Sequence, residues 1–394
     1  MTHIPITKAI FEADDLAIIQ EPLKSGWVVQ GPYVAAFESG FSSWTGSAHS
    51  MATTSCTTAM QLALAALGLS PGDEVLVPSF TWIATANVVE HCGATPIFVD
   101  IDLETYNINP SAIDAAVTSR TVGIVPVHLF GQPAAMDRIM AIAARHSLWV
   151  VEDAACGFDA WLDGRHVGTF GDFGCFSFHP RKAITTGEGG MVTTATSEHA
   201  ALIRTLRDHG ASRSDLERHQ QQQHSFLLAE YRHLGFNYRM TDIQGALGTT
   251  QLAKAARIMT GRRSAAAWYD ELLANVEWLK RPYRDVRVRH GEQSYVCLFQ
   301  PEVPSLENCA RIFAQRNDGM AALERRGIIT RQGTHAPAHV PYYAEKYGIQ
   351  PGDYPNGWLA ERCTISLPLY AGMTQDECAL VVSALHDVYA GVAA

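Results

Sequence analysis

From about residue 50 to 200 the chain alternates short apolar runs with segments whose apolar residues recur every three or four positions. In "SCTTAMQLALAALGLSPGD", Met60, Leu64 and Leu67 share one helical face, and Gly68 and Pro71–Gly72 end the pattern. "EVLVPSF" then reads as a short buried strand and "TWIATANVVEHCG" as a helix closed by glycine. The same alternation continues through "TPIFVDID" (strand), "SAIDAAVTSR" (helix), "TVGIVPVHL" (strand), "MDRIMAIAARHS" (helix) and "LWVVEDA" (strand). "GDFGCFSF" and "MVTT" add two further strands on either side of a glycine-rich loop. Strand–helix alternation of this kind predicts an α/β domain around a mostly parallel sheet.

Beyond this region, "DHGASRSDLERHQQQQHSFLLAEYRHLGFNYRMTD" is polar and without period, and its His219–His224 stretch reads as a solvated loop, metal binding by the two histidines being the weaker alternative. A long amphipathic helical region, "TDIQGALGTTQLAKAARIMTGRRSAAAWYDELLANV", bridges to a C-terminal part in which "SYVCLFQ" is a strand and "GMAALERRG" and "TQDECALVVSALHDVYAGV" are helices. The division expected is a large domain over residues 1–260 and a small C-terminal α/β domain over 261–394.

Composition narrows the function classes. A formal charge of −10 and no long basic run argue against nucleic acid or an anionic membrane as partner. The N-terminal stretch lacks a secretory pattern and no apolar run is long enough to span a bilayer, so the expected location is the cytoplasm. The eight cysteines are scattered with no ligand spacing, which reads as reduced, mostly buried thiols and no metal site.

Against this background one residue stands out. Lys182 lies in "SFHPRKAITTGEGG", a loop between two apolar strands, where partial desolvation would lower its pKa and make the neutral amine a nucleophile for carbonyls. A lysine that forms a Schiff base with pyridoxal phosphate needs an acid near the ring nitrogen, an aromatic on the ring face and an anion cradle. Asp153 closes a buried strand, where it is either that acid or a helix N-cap. Thr54, Ser55, Thr57 and Thr58 surround the start of the helix at Met60, as an anion site or as plain caps. Trp82 follows a strand, as a ring-stacking aromatic or a core tryptophan, and Ser177 offers a hydroxyl five residues before Lys182.

Taken with "SGWVVQGPYVAAFE", "TSCTTAMQLAL", "PVHLFGQPAAMD", "GFNYRMTDIQGALG" and "ISLPLYAGMT", these segments make the chain resemble the DegT/DnrJ/EryC1/StrS sugar aminotransferases over nearly its whole length. That resemblance implies a fold-type I pyridoxal-phosphate enzyme. It implies Lys182 as Schiff-base lysine and proton shuttle, Asp153 at the pyridine nitrogen, and Trp82 on the ring face. Cys56, Thr57 and Ser177 fall at phosphate-binding positions, and Asn237 at the residue that crosses a homodimer interface to the partner's cofactor phosphate. Cys56 stands where the family often has glycine. Cys156 stands where it often has glutamine, near the ring's 3-oxygen. The implied reaction moves an amino group from an amino acid, glutamate by analogy, through pyridoxamine phosphate to a nucleotide-linked keto-deoxysugar, with a keto-cyclitol as the alternative acceptor. Acceptor contacts are expected from "ITRQGTHAPAH", with Arg331 as a fork of donors and His335 and His339 beside it, unless these are surface-loop histidines. A related dehydratase would carry histidine in place of Lys182, and a non-catalytic regulator would be free to lose Lys182 or Asp153.

Overall fold

A computed structural model describes residues 3–214, 216 and 229–390. The loop expected at His219–His224 lies outside the described residues. Thirteen short strands are described: β1 (His49–Thr53), β2 (Glu74–Pro78), β3 (Thr95–Val99), β4 (Thr121–Ile124), β5 (Trp149–Asp153), β6 (Trp161–Leu162), β7 (Arg165–His166), β8 (Phe173–Ser177), β9 (Gly190–Thr194), β10 (Leu279–Lys280), β11 (Val288–Arg289), β12 (Tyr295–Phe299) and β13 (Thr364–Leu367). Seven of them form one sheet in the order β1-β9-β8-β5-β4-β2-β3. The pairs from β3 to β8 are parallel, and β9 runs antiparallel to both its neighbours. The mostly parallel sheet read from the strand–helix alternation is therefore present.

Its central strands are buried and mostly apolar because both faces are covered. Successive residues of β5 show this: Val150 packs among Leu76, Ile113 and Ile139, whereas Val151 packs with Ala59, Leu62 and Val192 on the other side. The helix after β1 spans Cys56–Ala66, opened by a capping box between Ser55 and Thr58. It buries Ala59, Leu62 and Ala63 as well as Met60 and Leu64, since it is packed against neighbours on more than one side. The expected helix at "TWIATANVV" begins only at Ala84, which leaves Trp82 in the connection from β2. The helix Met136–His146 ends at Ser147 in the left-handed region.

The long helical region is two helices, Asp242–Ala253 and Ala255–Leu272, with Lys254 at the junction. The break coincides with the Lys254 ammonium, which bonds Asp14 at 2.9 Å and Asp15 at 2.5 Å on the N-terminal segment. The second helix runs through residue 260 without interruption. Near its middle Arg262 is fully buried and donates to the Glu292 and Gln293 carbonyls at 2.8 and 2.7 Å. Burial brings this guanidinium down to about 10. Strands β10, β12 and β13 form the small antiparallel sheet of the C-terminal part. Its core gathers Tyr269, Tyr295, Phe299, Ile312 and Leu385, and also Ile4, which pairs with Ile328. The helix expected at "GMAALERRG" begins earlier and spans Cys309–Arg325.

Gly190, the first residue of β9, pairs with Ser177 at the end of β8. A Cβ there would lie 2.3 Å from the Ser55 carbonyl carbon and 2.7 Å from the Cys56 nitrogen, so only glycine lets the helix start reach the sheet edge. Gly190→Ala is expected to destabilise the fold by about 1–3 kcal/mol and to loosen this junction, measurable as a lower denaturant midpoint of the cofactor-free chain.

Candidate active site

Every candidate cofactor contact except Asn237 converges on the carboxyl edge of the sheet, where ligands of parallel α/β folds bind. The helix that follows β1 brings Cys56 and Thr57, the connection after β2 brings Trp82, and β5 ends in Asp153. Strand β8 ends in Ser177, and the loop from β8 to β9 carries Lys182.

Asp153 is 4% exposed, and its carboxylate accepts from the Thr85 hydroxyl at 2.8 Å and the Ala155 amide at 3.1 Å. The Cys56 thiol lies 3.9 Å from the same carboxylate and 3.3 Å from the Cys175 carbonyl. Burial, with Asp153 beside it, pushes the Cys56 thiol well up, so it is neutral. The Lys182 amine is partly buried and donates to the Cys156 sulfur at 3.2 Å. Burial works to lower the Lys182 pKa, but the Cys156 contact and the nearby Asp153 outweigh it, and the ammonium stands above its ordinary value. The expectation that burial makes this lysine a ready neutral amine is corrected: negative and polarisable neighbours hold its proton.

At the helix start the hydroxyls divide into two groups. Those of Thr54, Ser55 and Thr58 bond one another and the Ser55 carbonyl, which is the capping alternative. The Cys56 and Thr57 amides are the first two of an 11-residue helix and have no partner among the described residues, which leaves them for an anion. Ser177 pairs with Gly190, which lies against the Ser55–Cys56 peptide, so its strand end adjoins the helix start. Trp82 is 58% exposed, a large flat ring left open at the mouth of the site. These are the groups a phosphorylated, cationic aromatic ring would require, so the residues present fit pyridoxal phosphate. Asn237 is exposed, on the segment bridged to Asp208.

In front of Trp82 opens a cleft of about 730 Å³ that extends along Arg331, Thr334 and His335 to Asn317 and Glu324. His335 reaches it because its carbonyl accepts from the Thr81 amide at 3.0 Å, and its ring meets Trp82 edge-on at 5.4 Å. Arg331 is exposed on the same wall, held by backbone bonds to Ser366. His339 is not brought to that wall: its ring packs edge-on against Trp358 at 4.9 Å and meets the Tyr354 carbonyl at 3.3 Å. Burial lowers its pKa and keeps the ring neutral.

Several supporting residues escaped the sequence reading. Thr85 stands one helical turn from Thr81, whose hydroxyl it meets at 3.3 Å. Glu152, beside Asp153, is wholly buried and takes amides from Gly168, Phe170 and Gly171 at 2.7, 2.7 and 2.8 Å, plus the His128 ring at 2.9 Å. An acid inside an apolar strand was the only available signal for it. Gln293 donates to the Arg181 carbonyl at 2.7 Å and so ties the lysine loop to the Arg262 helix.

Such a sheet edge, with an amine-bearing loop over a buried acid, defines the fold-type I pyridoxal-phosphate enzymes. The chain belongs to the DegT/DnrJ/EryC1/StrS aminotransferase family, whose model matches residues 10–386, and it is a pyridoxal-phosphate-dependent aminotransferase. It is 36% identical to the spore coat polysaccharide biosynthesis protein SpsC of Bacillus subtilis, covering 98% of this chain and 97% of that protein. With the GDP-perosamine synthase of Caulobacter vibrioides it shares 35% identity over 98% and 99% of the two chains. The PLP form of Spr1654 from Streptococcus pneumoniae superposes with a TM-score of 0.89 at 25% identity, over 99% and 100% of the chains. Among the described residues no helix is long and apolar enough to cross a membrane, and no metal-binding cluster occurs.

Thr85→Val leaves the buried Asp153 carboxylate short of a donor. We expect a loss of about 1–3 kcal/mol of stability, read by urea unfolding of the cofactor-free protein, and weaker retention of the cofactor on dialysis.

Proposed function

We propose that this chain transfers the amino group of an amino acid, L-glutamate, to the keto group of a nucleotide-linked keto-deoxysugar, as a cytoplasmic homodimer with shared active sites. The observation that carries the reading is that Lys182 and Asp153 lie at the sheet edge while their chain neighbours there, Arg181 on the lysine loop and Trp82 after β2, line a long cleft. An amino acid would fill a small part of about 730 Å³, whereas a sugar with its nucleotide needs most of it. Relatives named for GDP-perosamine synthesis and for spore coat polysaccharide biosynthesis support a glycan precursor as acceptor.

Bound pyridoxal phosphate supplies an electron-withdrawing ring that acidifies the α-carbon of the amino acid. In this reading Asp153, fixed by Thr85 and Ala155, keeps the ring nitrogen protonated. Trp82 covers one ring face, and the Cys56 and Thr57 amides with the Ser177 hydroxyl hold the phosphate. Cys156 lies on the lysine side of the ring. Lys182 would anchor the cofactor. Once released, its neutral amine would take the proton from the amino acid's α-carbon and pass it to the cofactor's C4′ within the same half-reaction, the second half-reaction running the transfer backwards. Arg331 and His335 face the acceptor, with Arg331 offering paired donors to its phosphates, while His339 stiffens the wall behind them. Asn237 and the 95%-exposed Leu234 nearby suit a face covered by a partner subunit, across which Asn237 would meet the other cofactor's phosphate.

The test is the absorbance of the purified protein before and after borohydride, with peptide mapping of the product. A visible band that collapses and leaves pyridoxyl on Lys182 supports the reading, and a colourless protein that cannot be loaded overturns it. Lys182→Ala is expected to abolish the adduct and lower turnover by at least about a hundredfold. Glutamate with a panel of nucleotide-linked keto-sugars, read by product mass and NMR, then tests the acceptor.

A further inference from the structure

We infer that Cys156 is a positioning residue for Lys182: its thiol holds the lysine amine whenever that amine is not bonded to the cofactor, and keeps it beside Asp153 and the turn after β5 for its return. The inference rests on the reading of Lys182 as cofactor anchor.

A lysine side chain ends four flexible carbons, and a freed amine would sample many positions unless something receives it. Here the Cys156 sulfur lies 3.2 Å from Nζ, and no other hydrogen-bond partner of that amine occurs among the described residues. The backbone that carries the sulfur is tied down. The turn after β5 is closed by the Gly157 amide on the Ala154 carbonyl at 2.8 Å and by the Ala155 amide on Asp153 at 3.1 Å. The nearest carboxylate, Asp153, is already committed to Thr85 and Ala155.

A thiol suits this task better than an acid would. A carboxylate in direct contact would trap the amine as a lasting ion pair, whereas sulfur is a weak acceptor that releases it easily. A thiol can accept from an ammonium and donate to a neutral amine, so the contact persists as the lysine gains and loses its proton. The groups facing this pair are few. His179 and Arg181 share the lysine loop, Asp153 precedes Cys156, Cys56 opens the helix after β1, and Arg262 faces from the long C-terminal helix. Cys156 is therefore the group whose loss should change the behaviour of the free amine most directly.

The experiment follows loading of the cofactor-free full-length protein with pyridoxal phosphate, by growth of the visible band, across pH. The wild type is compared with Cys156→Ala and Cys156→Ser. For Cys156→Ala we expect the plateau loading rate at alkaline pH to fall about fivefold, the effect of one hydrogen bond, and the half-point of the pH profile to move to lower pH. Cys156→Ser should recover most of the plateau. An alanine variant with the wild-type plateau and the wild-type half-point overturns the inference. The wild-type borohydride map is run alongside, so a label found away from Lys182 counts against the anchor reading instead. Should Cys156→Ala fail to fold, the contact is read from the other side, by alkylating Cys156 with iodoacetamide in the cofactor-free protein. Removing the amine in Lys182→Ala is expected to slow that alkylation severalfold, and an unchanged rate overturns the inference.

Discussion

Two carboxylates buried in succession at the end of a central strand can persist only if fixed donors surround both, because an ionised group without partners is not tolerated in an apolar interior. Glu152 and Asp153 impose that demand, and much of the site follows from how it is met. Glu152 draws in three amides of the 168–171 turn and the His128 ring, which accepts in turn from the Ala134 amide at 3.1 Å. That turn leads directly into β8, the strand whose far end presents Ser177 and the lysine loop. Asp153, on the opposite face of the strand, recruits Thr85 and so fixes the start of the helix beside Trp82. One acid therefore aligns the strands, and the other aligns what stands above them.

What the sequence disclosed and what it withheld divide along the distance between partners. The alternation from β2 to β5, with β8 and β9 beyond it, was legible because these strands are largely apolar runs and the helices between carry their own stops, such as Gly93 after "VVEHC" or Ser147 after "AARH". Strands β1, β6 and β7 lack such runs. Lys182 and Asp153 were legible because a charge beside or inside an apolar strand is anomalous. Thr85, His128 and the Arg181–Gln293 tie were not, since each gains its meaning from a partner between 24 and 112 positions away in the chain. The break at Lys254 was hidden for the same reason: lysine is a good helix former, and the acids that hold it lie in the N-terminal segment. Arg262 read as one more polar position on an amphipathic helix and proves fully buried against two carbonyls.

The residues expected to face an acceptor separate by a different principle. Arg331 and His335 reach the cleft through backbone pairing, to Ser366 and to Thr81 respectively, so their placement depends on strand-like segments rather than on their own side chains. His339, only four residues beyond His335, falls in a one-turn helix that swings it behind the wall into an aromatic cluster. Closeness in the chain was a poor guide to closeness in the site.

The uninterrupted helix Ala255–Leu272 has a mechanical consequence. It crosses from the sheet domain into the C-terminal part as a single beam, and through Arg262, Gln293 and Arg181 that beam is fastened to the loop bearing the lysine. Rotating one part against the other would have to bend the beam and would drag the Lys182 loop with it. A load on the C-terminal part is therefore felt at the Lys182 loop, with the helix as the lever and the Arg262 bonds as its fulcrum.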